Sequence, residues 1–105
     1  MKQAFNRATR RTLDKRVRKL VLHVDEIKAR CELIRLSEEI GTPIIAKGID
    51  AEGADFVICA TQDGIRYGTQ DDDEHCELDA YGSDGEHMFG WGGDGLDLEN
   101  EVCQW

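Results

Sequence analysis

Eight carboxylates crowd into one stretch of this chain: Asp71, Asp72, Asp73, Glu74, Glu77, Asp79, Asp84 and Glu86. Acids at that density can do one of two things. They can hold a divalent cation, or they can lay out a negative field like that of a nucleic-acid backbone and attract a basic protein groove. No lysine follows nearby to complete a nuclease-like metal site at Asp71 to Glu74, so the second chemistry is favoured. The plainer alternative is a solvated surface that keeps the protein soluble. Concentration argues against that alternative. Residues 36–105 hold 2 basic and 18 acidic side chains, a sum of −16, and such crowding costs self-repulsion that solubility alone does not require.

The opposite charge gathers at the other end. Residues 1–35 hold 11 basic and 4 acidic side chains, a sum of +7, within a total of −9. Arg7, Arg10, Arg11, Lys15, Arg16, Arg18 and Lys19 would suit RNA or DNA phosphates if carried on one helix. In composition this segment resembles the arginine-rich RNA-binding helices of phage antiterminators, and the likeness is one of composition alone. Against phosphate binding stands the −16 body behind it, and these bases could equally neutralise acids of the same chain.

Two smaller constellations carry weaker signals. Gly92-Gly93-Asp94-Gly95-Leu96-Asp97 matches the first six positions of the calcium-binding glycine-rich nonapeptide repeat. A working site needs stacked copies, and only one is present, with Glu99 where an apolar residue belongs, so a loop is expected. His75, Cys76, His87 and Cys103 could be gathered round zinc only by the fold. They lack close ligand pairs, and His75 and Cys76 would point to opposite faces of a strand. No nucleophile elbow, phosphate loop or HExxH pair occurs. The expectation is a non-enzymatic protein without metal or cofactor.

The elements that must position these residues begin with a helix. Leu13, Val17, Leu20, Val24, Ile27, Cys31 and Ile34 recur at alternating spacings of four and three, the rhythm of one buried seam. Gly41 and Pro43 end it. The spacing predicts a single helix over 13–40, roughly 42 Å long, preceded by a basic arm over 1–12. Arg16, Lys28, Arg30 and Arg35 flank the seam with Asp14 as the only acid, so something acidic should lie alongside. A second stripe, Leu22, Ala29, Leu33, Leu36 and Ile40, points the other way and predicts burial on both sides, one against the sheet and the other against a second copy or a partner.

Beyond the helix the rhythm becomes that of strands. Residues 43–47 form a short apolar run, and Ala54 to Gln62 is the most β-like segment, apolar on both faces. Asp63-Gly64 reads as a two-residue hairpin turn setting Ala60 opposite Tyr67 and Thr61 opposite Arg66. His75 to Tyr81 alternates, with Cys76, Leu78 and Ala80 on one face. A short strand around His87 to Trp91 follows, then an acidic, glycine-rich tail over 92–105.

The expected architecture is one α+β domain: a long N-terminal helix, then a four- or five-stranded antiparallel meander over 43–91 packed on the helix's C-terminal half. No apolar run suits a signal peptide or a membrane span, and four scattered cysteines suit a reduced interior. These features predict a cytoplasmic, dimer-forming inhibitor of the anti-CRISPR or anti-restriction kind, a nucleic-acid mimic that occludes a basic, nucleic-acid-handling partner. That inference is made at the level of class, from size and charge. The alternative is a nucleic-acid-binding regulator using the basic helix.

Overall fold

A computed structural model describes residues 7–104, with side chains from residue 13 onward. The helical region is not one rod but two helices, α1 (Arg7–Val21) and α2 (Ile27–Ile40). The break falls where Val21, His23, Val24 and Asp25, all modest helix formers, follow one another. There the chain tightens into bonds from His23 N to Leu20 O (3.0 Å) and from Glu26 N to His23 O (2.9 Å). The carbonyl of Val24 accepts instead from Arg30 Nη1, 2.7 Å away. The break lets both segments cover one sheet: Leu13, Val17 and Leu20 of α1 share a core with Leu33, Ile34 and Leu36 of α2. The helix stop is as expected, with Gly41 left-handed at φ 72° and its N–H donating to Ser37 O.

Five antiparallel strands follow in chain order as a meander: β1 (Ile44–Ile49), β2 (Asp55–Thr61), β3 (Gly64–Gln70), β4 (His75–Gly82) and β5 (His87–Asp94). The expected tail instead completes β5 and supplies a third helix, α3 (Leu98–Cys103). The β2–β3 register also differs from expectation by two residues, pairing Thr61 with Gly64 and Cys59 with Arg66. The turn is therefore Gln62-Asp63. Gly64 is glycine for another reason: any Cβ there would strike the Tyr81 carbonyl of β4.

The sheet is buried on both faces. Ile44, Ile58, Ala60 and Ile65 meet α1 and α2, while Val57, Cys59, Cys76 and Leu78 meet Leu98 and Val102 of α3. Successive residues of a strand face opposite ways, so the apolar run of β2 serves both cores. The stripe expected to reach a second copy is used at home. Ala29, Leu33 and Leu36 are buried within this chain, Ile40 is half-buried, and only Leu22 stands out, 79 % exposed. No helix among the described residues is long and apolar enough to cross a membrane.

Candidate acidic interaction surface

Alternate turns of a meander lie at the same end of the sheet, because each strand reverses the one before. The β1–β2 turn, the β3–β4 turn and the β5–α3 connection therefore come together. They bring Asp50, Glu52, Asp71, Asp72, Asp73, Glu74, Asp94 and Asp97 to one end. Three of these build their own loops. Asp71 Oδ1 accepts from Asp73 N (3.0 Å) and His75 N (2.9 Å), and Asp50 Oδ1 accepts from Glu52 N and Ala54 N, both 2.9 Å. Asp97 caps α3 by accepting from Asn100 N at 3.3 Å. Short acidic side chains suit such turns because they satisfy backbone donors locally. Asp72, Asp73, Glu74, Glu52 and Asp94 are exposed.

The eight carboxylates singled out in the sequence divide three ways. Asp71 to Glu74 lie at this end. Glu77 and Asp79 project from β4 on the face that carries α1 and α2, opposite Gly92 and Gly90 of β5. Asp84 and Glu86 occupy the β4–β5 turn at the far end of β4, about 24 Å away by strand rise. There Asp84 Oδ1 accepts from Glu86 N at 3.0 Å, and the Asp84 carbonyl accepts from Cys31 Sγ at 3.3 Å. Sequence reasoning missed Asp50, Glu52, Asp94 and Asp97. The signal was in the topology, since an expected meander already dictates which turns are neighbours.

The ion-paired arginines and lysine engage other acids. Arg16 and Arg35 both engage Glu32, at 2.8 and 3.4 Å, so the acid expected beside the helical seam comes from α2 itself. Lys47 binds Glu99 at 2.7 Å, which raises the lysine's pKa. None of the eight carboxylates at the acidic end forms an ion pair with lysine or arginine among the described residues. The partner that Asp94 does have is histidine: its Oδ1 lies 2.8 Å from His75 Nδ1, and this contact raises the imidazole's pKa. Midway along β4, Asp79 Oδ1 lies 2.8 Å from His87 Nε2. On α1, Lys15, Arg18 and Lys19 are exposed. The side chains of Arg7, Arg10 and Arg11 lie outside the described residues.

The possible metal ligands are not brought together. His75 and His87 are exposed, whereas Cys76 and Cys103 belong to the α3-side core, where burial pushes both thiols up. Among the described residues, no three His, Cys, Asp or Glu side chains are disposed to hold a metal ion. The calcium-like hexapeptide is the end of β5, a turn through left-handed Gly95 at φ 71°, and the cap of α3. Comparison with protein-family models, curated proteins and solved structures finds no match to this chain. A functional reading therefore rests on the surface of this molecule.

Proposed function

We propose that this is a small non-enzymatic binding protein that presents its acidic end to a basic, nucleic-acid-handling partner and occludes that partner's phosphate-binding surface, as an inhibitor of the anti-CRISPR or anti-restriction kind. One observation carries the reading. Eight carboxylates converge on three neighbouring loops, and among the described residues no lysine or arginine neutralises them. A field of that sign steers and speeds encounter with a cationic groove, and its carboxylates would occupy the arginine and lysine side chains that otherwise hold phosphates.

The test is a gel shift beside a capture experiment. Mixed DNA and RNA should bind neither wild type nor variants. A lysate partner captured by wild type should be lost when Asp71, Asp72 and Asp73 become Asn and Glu74 becomes Gln. Asp71→Asn keeps the Oδ1 acceptor that shapes the loop, so lost capture reports charge. Retained capture would count against the reading. The exposed Lys15, Arg18 and Lys19 favour one second reading, phosphate binding by α1. Salt-sensitive gel shifts, abolished by changing those three to Gln, would establish it in place of the first.

A further inference from the structure

The meander ends on an open edge. Among the described residues β5 pairs with β4 alone, and its eight residues are exposed or half-buried throughout. An edge strand offers a row of unpaired N–H and C=O groups to any further strand, and natural edges are blunted by proline, lysine or a covering element. The opposite edge has all three: Pro43 precedes β1, Lys47 lies in it, and α1 and α2 pack against it. β5 contains no proline, lysine or arginine. Its one irregularity, the register shift at Ala80/Tyr81, falls at the start of the strand.

The two sides of this edge differ in chemistry. On the α3 side, Phe89 is 50 % exposed and its ring centroid lies 5.5 Å from that of half-buried Trp91. On the other side, Gly90 and Gly92 carry no side chains, which leaves a shallow groove beside Asp79 and Glu77. We propose that the β5 edge docks an extended basic segment of a partner as a sixth strand. Lysine or arginine at alternate positions would reach over the glycines to Glu77, Asp79 and Asp94, and the intervening apolar residues would cover Phe89 and Trp91. An added strand would lie about 4.8 Å from β5 and about 9.6 Å from β4, a gap that a long cationic side chain spans. Charge argues against a second copy as the occupant, because its own β4 and β5 would bring the same three carboxylates to the junction. The inference deepens the proposed function and takes from it the basic character of the partner.

The probe is acetyl-Lys-Val-Lys-Thr-Lys-Val-Lys-Thr-amide, with the same peptide N-methylated at every residue as control. Amide hydrogen exchange of the full chain is read by NMR with each peptide in turn. The expected result is at least a tenfold slowing at β5 amides with the first peptide and none with the second, at equal charge. Phe89→Lys and, at the neighbouring β5 residue that is 62 % exposed, Met88→Lys, made separately and checked for unchanged melting temperature, should each abolish the slowing. Equal effects of the two peptides, protection confined to Asp71–Glu74, or no binding at millimolar peptide would each overturn the proposal. So would protection of β5 without peptide in a protein that sediments as a dimer. If β5 fails to respond while the loop carboxylates still govern partner capture, strand addition alone is lost. If β5 responds and the loop carboxylates prove irrelevant, the acidic-end reading alone is lost.

Discussion

Arg30 is 6 % exposed and joins three elements at once. Its Nε donates to Gly85 O at 2.6 Å and its Nη1 to Val24 O at 2.7 Å, while the guanidinium lies 4.2 Å from the centre of the Tyr81 ring. It holds the interhelical break and the β4–β5 turn together. Arg30→Met should cost about 3 kcal/mol in denaturant unfolding, because two carbonyl acceptors lose a charged donor. In the sequence Arg30 reads as one more flanking charge, since Gly85 lies 55 residues away. His75 carries a pH signature. Its contact with Asp94 holds the imidazole pKa above the ordinary 6.5. The resulting stabilisation is therefore complete below 6.5 and is lost as pH rises through the raised value. The melting temperature of wild type relative to His75→Gln should accordingly be higher at about pH 5.5 than at about pH 8.5. The shift should be small, because the pair is exposed and salt screens it.

At the scale of elements, the hairpin of helices and the α3 docking were the parts least legible in advance. The four-and-three rhythm runs unbroken through Leu20, Val24 and Ile27, yet Leu20 and Val24 pack on the core while Ile27 is 43 % exposed, and a bent pair of helices satisfies the rhythm as well as a straight rod. α3 is six residues long, too short for periodicity to register, and Asp97 as a cap with Leu98 and Val102 one turn apart were its only marks. The strands were legible because alternation and turn residues are local properties. The Gln62-Asp63 turn was not, because the glycine beside it answers to β4. A similar constraint fixes α3. A Cβ at Gly68 would sit 2.7 Å from Leu98 Cδ1 and 3.0 Å from Val102 Cγ2. Gly68→Ala should therefore destabilise by about 2 kcal/mol through overpacking, measured by chemical denaturation. The α1/α2 core on the other side of the sheet should keep its exchange protection.

Over the described residues, carboxylates stand at both ends of the sheet: eight at the β1–β2, β3–β4 and β5–α3 loops, and Asp84 and Glu86 in the β4–β5 turn that Arg30 of α2 meets. The basic side chains of α1 and α2 lie on the helices, whose sheet contacts cluster on Ile44, Ala60 and Ile65. The loops at the other end of those strands hold the eight carboxylates of the acidic end. The sequence announced half of that surface, the run from Asp71 to Glu74, but scattered the rest among turns that only strand order unites. The central claim is that this end binds through its charge. It is tested most directly by titrating wild type and a variant with six of the eight carboxylates neutralised (Asp50, Asp71, Asp72 and Asp73 to Asn, Glu52 and Glu74 to Gln) against the captured partner at low and high salt. The account predicts at least a hundredfold weaker binding by the variant at low salt, about 2.7 kcal/mol, and a flattened salt dependence. Equal affinity and an equal salt slope for the two proteins would contradict it.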